Sequence, residues 1–128
     1  MSVPFLDLTA QYEELRDEID AAIERVVESQ HFILGPEVEA LEEAVAERVG
    51  TRHAVGCASG TDALLLPLKA LDPAAEDEAV VPAFTFFATA GAAWNAGFRP
   101  AFCDVDPGTC NVTAETVEAA VTPRTRAV

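Results

Sequence analysis

The chain has 128 residues, half of them hydrophobic, and its 22 acidic and 8 basic side chains give a formal net charge of −14. That length and apolar content suffice for one modest core. The acidic balance argues against nucleic acid and anionic membrane surfaces as partners, because both require basic patches.

Val3-Pro4-Phe5-Leu6-Asp7-Leu8 is an apolar lead-in, too short to be a domain. It carries no basic leader or long apolar run, so neither a signal peptide nor a membrane span is expected. Leu15, Ile19, Ala22 and Val26 recur at helical spacing with charges between them, which predicts an amphipathic helix ended by Ser29-Gln30-His31. Phe32-Ile33-Leu34-Gly35-Pro36 reads as an apolar loop, with Pro36 suited to the first turn of a second helix. Val38, Leu41, Val45 and Val49 predict that helix's core face, and Gly50 its stop. The acids of both helices, among them Glu13, Glu14, Asp17, Glu18, Glu39 and Glu43, read as a solvated face. An acidic, lysine-poor surface would also suit a salt-rich cytoplasm.

From residue 51 the pattern alternates. Ala54–Cys57 reads as a strand, Thr61–Leu71 as a helix, and Glu78–Val81 as a strand closed by Pro82. Pro67 inside the first of these helices predicts a kink or an early end. Thr85–Asn95 reads as a helix stopped by Gly97, Pro100–Val105 as a strand, and Asp106-Pro107-Gly108 as a turn. Thr113 caps a helix through Val121, and Arg124–Val128 begins another buried strand. Strands alternating with helices predict an α/β fold with a parallel sheet. Ligands of such sheets sit at the carboxyl ends of the strands, where the Ser59–Thr61 and Pro82–Phe86 turns fall.

The first of those turns is the most informative stretch. Strand, glycine turn and helix start are arranged so that unpartnered N–H groups and the positive end of the macrodipole meet a residue without a Cβ. Ser59, Gly60 and Thr61 would then cradle a phosphate. The same residues also suit an ordinary turn in which Ser59 or Thr61 merely caps the helix, and Asp62 would repel a phosphate if it faced one. Taken alone, Phe84, Phe86 and Phe87 read as core. Asp104 and Asp106 invite a carboxylate-pair reading, but beside Pro107 they read better as turn caps. His31 and His53 are isolated and read as structural. Cys57, Cys103 and Cys110 form no C-x-x-C pair and suggest a reduced, cytoplasmic setting. No G-x-G-x-x-G fingerprint points to a dinucleotide.

Several stretches together resemble the DegT/DnrJ/EryC1/StrS family of sugar aminotransferases. They are Pro4–Leu8, Gln11-Tyr12, Phe32–Val38, His53–Gly56, Ser59–Leu64, Val81–Phe86 and Asp104–Pro107, in the family's order and spacing from Pro4 to the end. The resemblance implies the N-terminal part of the large domain of a type I aspartate aminotransferase-like fold, with 1–50 forming helices and a loop and 51–128 alternating strand and helix. It implies pyridoxal phosphate as cofactor, held at its phosphate by Gly60 and Thr61 beside Ser59, with Phe86 stacked on the ring. It implies a homodimer that moves an amino group, from a donor such as glutamate, to a nucleotide-linked keto sugar.

One departure bears on activity. The chemistry needs a Schiff-base lysine and a carboxylate for the ring nitrogen. The only lysine is Lys69, which matches no catalytic lysine of the family. The expectation is therefore an incomplete segment, inactive alone and weak or absent in cofactor binding. A same-family dehydratase, and a truncated non-catalytic partner, are the alternatives.

Overall fold

The computed structural model describes residues 4–128, so Val3 of the apolar lead-in lies outside the described residues. The chain divides into two compact units, Met1–Gly56 and Cys57–Val128.

The first unit is helical. Helix α1 spans Leu8–Ser29 and starts earlier than the apolar repeat suggests, because Asp7 caps it by accepting from the Thr9 N–H at 3.0 Å. Gln30, at φ 57°, ends it in the left-handed region. Helix α2 spans Pro36–Val49, with Pro36 in its first turn and Gly50 at φ 72° as its stop, both as expected. The core face expected on α2 is a correction. Leu41, Val45 and Val49 stay exposed, and Ala46 is the helix's buried residue. Helix α1 buries none. The strand expected over Ala54–Cys57 is a second correction. A strand exists through its ladder, and this segment pairs with no strand among the described residues; the Gly56 N–H is taken instead by the Glu42 carboxylate at 2.6 Å.

The second unit is α/β. Its order is α3 (Gly60–Ala70), β1 (Glu78–Pro82), α4 (Ala88–Ala96), β2 (Arg99–Cys103), α5 (Ala114–Ala120) and β3 (Thr125–Ala127). The strands form a parallel sheet ordered β2-β1-β3, with Val80 opposite Ala101 and Pro82 opposite Cys103. The expected parallel sheet is present. Ala79 and Val81 of β1 pack with Ala93 and Phe98, and Leu68 of α3 closes over them. Gly97 makes that core possible: at φ 107° it turns the end of α4 into β2 and delivers Phe98 at 1% exposure.

Three boundaries differ from expectation, each for a local reason. Helix α4 starts at Ala88 rather than Thr85, because Ala83 is still bonded to Cys103 at 2.9 Å and the chain needs Phe84–Phe87 to turn. Strand β2 stops at Cys103 rather than Val105. The Asp104 carboxylate accepts the Val105 N–H at 2.9 Å and withdraws it from the ladder. Pro67 neither ends nor shortens α3, which runs three residues beyond it. The Ala63 carbonyl consequently has no partner four residues on, a loss of about 3 kcal/mol in a helix interior.

At the amino end of the sheet, three arginines meet three consecutive acids. Arg99 reaches Glu76 at 2.6 Å, Arg126 reaches Asp77 at 3.4 Å, and Arg124 forks onto one oxygen of Glu78 at 2.5 and 2.8 Å. The Thr122 hydroxyl donates to the other oxygen of Glu78 at 2.5 Å. Glu78 is only 8% exposed. The Thr122 hydroxyl and the Arg124 guanidinium hold its carboxyl below the usual carboxylate range.

An ionised Glu78 therefore favours the folded chain. That contribution is complete above the ordinary carboxylate range and is lost as pH falls through the depressed folded value. Glu78→Gln should melt below the parent at neutral pH, with the gap narrowing under acid; a gap independent of pH would contradict the assignment. Pro67→Ala should raise the melting temperature, by up to about 3 kcal/mol of stability. An unchanged or lower midpoint would show that the helix bears no such cost.

Candidate cofactor-phosphate site

The site lies in the second unit, where the starts of α3 and α4 meet the carboxyl end of β1. Ala63 of α3, Pro82 of β1 and Thr89 of α4 line one cavity of about 270 Å³, which places the three elements together. Its remaining walls are apolar, from Leu64, Pro67 and Leu68 on one side and β1 with Ala127 and Val128 on the other.

Ser59 is the N-cap of α3. Its hydroxyl oxygen accepts the Asp62 N–H at 3.1 Å and its proton is donated to the Asp62 carboxylate at 2.9 Å. Ser59 is thus spent on the helix, and Asp62 is drawn towards it. The Ala63 N–H closes the first backbone turn onto the Ser59 carbonyl at 3.0 Å. The N–H groups of Gly60 and Thr61 donate to nothing among the described residues, and neither does the Thr61 hydroxyl. Two backbone donors and one hydroxyl therefore stand free at the positive end of an eleven-residue helix.

Gly60 adds a second observation. A Cβ built at this position meets no atom within 4 Å, and its φ is not in the left-handed region. Nothing in the fold requires glycine here. The space around Gly60 at the start of α3 is open, with room for an anionic group.

Phe86 lies in the turn between β1 and α4 and is 78% exposed; Phe84 and Phe87 are 69% and 82% exposed. The core reading of these three rings is corrected: Phe84–Phe87 form the turn at the open end of the sheet, and the unit's core closes without them. Thr89 was not singled out by the sequence reading. Its hydroxyl lies 3.0 Å from that of Thr85 and its side chain lines the cavity. The four-residue spacing Thr85-x-x-x-Thr89 at a helix start was the available signal.

The remaining candidates separate cleanly. Asp106 accepts the N–H groups of Thr109 at 2.9 Å and Gly108 at 3.0 Å, so it caps its turn as the turn chemistry suggested. The Thr109 N–H first, then its hydroxyl and the Gly108 N–H, hold this carboxyl below its ordinary range. Asp104 is occupied with its own turn. Lys69 is exposed in the last turn of α3, nine positions from Gly60 and about 13 Å along the axis. Among the described residues no group of three or more His, Cys, Asp or Glu side chains could hold a metal ion, and no helix is long and apolar enough to cross a membrane.

The sequence profile of the DegT/DnrJ/EryC1/StrS aminotransferase family matches residues 13–128. The chain belongs to this family. It is 48% identical over 127 residues to a UDP-N-acetyl-3-dehydro-α-D-glucosamine 3-aminotransferase of Acidithiobacillus ferrooxidans, covering 99% of this chain and 34% of that protein. It superposes on DesV of S. venezuelae, solved with a ketimine intermediate, with a TM-score of 0.91 and 46% identity over 97% of this chain and 33% of that one. The E. coli GDP-4-keto-6-deoxy-D-mannose-3-dehydratase with bound hydrated PLP superposes with a TM-score of 0.73 and 30% identity, over 96% of this chain and 31% of that one. The α/β architecture is thus that of the type I aminotransferase fold. The chain spans about a third of the length of the family members it matches.

Proposed function

We propose that this chain provides the cofactor-phosphate cradle of a pyridoxal phosphate-dependent aminotransferase acting on nucleotide-linked keto sugars, in amino-sugar or polysaccharide biosynthesis. The observation that carries the reading is the pair of free N–H groups at Gly60 and Thr61, at a helix start where the space around position 60 is open. Membership of the family supports pyridoxal phosphate as the ligand of that geometry.

Gly60 and Thr61 would hold the phosphate through their N–H groups and the Thr61 hydroxyl. Ser59 supports them by capping α3 and by drawing the Asp62 carboxylate to itself. Phe86 would offer a flat apolar face to the pyridine ring. When bound, pyridoxal phosphate carries the amino group from a donor such as glutamate to the keto carbon of the sugar. The chain's own part is to anchor and orient that group. Charge-assisted bonds at a helix terminus fix one end, and an aromatic surface restricts the other. Lys69 is too far along α3 to serve at the cradle, so the 128 residues by themselves bind weakly and turn nothing over.

The aminotransferase reading stands above the dehydratase one because likeness to the aminotransferase structure is the greater of the two in both identity and superposition. The active form is read as a cytoplasmic homodimer. Phe32, Ile33 and Leu34, 63%, 85% and 79% exposed, support an association surface, and the free cysteines support a reduced compartment.

Equilibrium dialysis against pyridoxal phosphate tests the cradle without relying on activity. Gly60→Val and Thr61→Ala should each weaken binding about tenfold or more while circular dichroism stays unchanged, since position 60 has room for the larger side chain. Retained affinity in both variants would refute the assignment.

A further inference from the structure

The charge of this chain is concentrated where the core is thinnest. Up to Gly56 the sequence holds 13 acidic against 4 basic residues, a net −9 of the chain's −14. From Cys57 onward there are 9 acidic and 4 basic residues, and three of the four bases are arginines paired with acids at the sheet's amino end. In the helical unit, Arg25–Glu37 at 3.0 Å is the one ion pair among the described residues. Arg16 lies over the Tyr12 ring, 5.2 Å from its centroid.

The spacing of those acids makes matters worse for isolated helices. Residues four apart on a helix are neighbours, and like charges there repel. Glu13 faces Asp17, Glu14 faces Glu18, Asp20 faces Glu24, and Glu24 faces Glu28 along α1; Glu39 faces Glu43 and Glu43 faces Glu47 along α2. Arg16 with Asp20 is the single opposite-charge pair at that spacing in the two helices. Glu28 also sits in the last turn of α1, at the negative end of the macrodipole, and that turn holds no basic residue. Little burial opposes this repulsion, since α1 buries no residue and α2 buries Ala46.

We propose that the helical unit of this protein depends on concentrated salt: it is destabilised by its own charge at low ionic strength and is stabilised by screening. The Debye length falls from about 10 Å at 0.1 M to about 3 Å at 1 M, shorter than the separation of these side chains. The ion pairs of the α/β unit are exposed on their arginine side and gain nothing from salt. The response therefore belongs to α1 and α2.

The test is thermal melting of the whole chain by circular dichroism at 222 nm in 0.1, 1 and 3 M KCl, beside a triple variant, Glu14→Lys, Glu24→Lys, Glu43→Lys. These substitutions break five of the six like-charge pairs, leaving Glu13 with Asp17, and each leaves a good helix former in place. The parent should gain helix signal and shift its midpoint up by about 5 °C or more between 0.1 and 3 M. The variant should already show that signal at 0.1 M and respond much less. A parent midpoint that is flat or falling with KCl, or a chain without helix signal at every concentration, would overturn the proposal. So would an equal rise in parent and variant, which would mark a general salting-out effect.

Discussion

Glu78 sits at the amino end of the central strand with the Arg124 guanidinium on one carboxylate oxygen and the Thr122 hydroxyl on the other. Its own N–H donates to the Arg124 carbonyl at 2.9 Å, so side chain and backbone both bind it to the approach of β3. Strand β3 is three residues long and its register with β1 is broken by a bulge, so its ladder alone would hold it weakly. The buried carboxylate is what keeps the third strand in the sheet. Losing one member would leave a buried charge without its partner, which costs more than the pair gains.

This arrangement gives the sheet two unlike ends. At the amino end Arg99, Arg124 and Arg126 pin three successive acids and close the edge with ion pairs. At the carboxyl end β1 runs out at Pro82 and opens into a turn carrying three exposed phenylalanines, beside a cavity that reaches the first turns of α3 and α4. The polar groups there are not consumed by the fold. Ser59 serves the helix, whereas Gly60 and Thr61 keep their donors free. Fold stability and the proposed ligand site thus draw on opposite ends of the same strands, as expected of parallel α/β sheets.

Much of this was legible in the sequence. Asp106-Pro107-Gly108, Thr113 and Gly97 dictate local structure through their own chemistry, and each behaves as its residue type requires. The βαβ alternation gave the parallel sheet. Beyond local shifts such as those at Asp104 and Pro67, what failed depended on partners distant in the chain. Ala54–Cys57 has strand composition but pairs with no strand among the described residues, and Leu41 and Val45 have helical spacing but are exposed. Likewise Phe84, Phe86 and Phe87 look like core residues until the turn that carries them is placed at an open edge. The proposed phosphate cradle was half legible. Sequence showed a glycine at a helix start, but only the structure separates Ser59, which caps, from Gly60 and Thr61, which remain available.

The most direct test of that cradle is to follow the backbone amide resonances of Gly60 and Thr61 while pyridoxal phosphate, and separately pyridoxal, is added to the labelled chain. The account predicts that both amides shift with the phosphorylated compound and stay in place with the other, because the phosphate is what the free N–H groups bind. Amides that ignore pyridoxal phosphate while resonances elsewhere move, or that respond equally to both compounds, would contradict it.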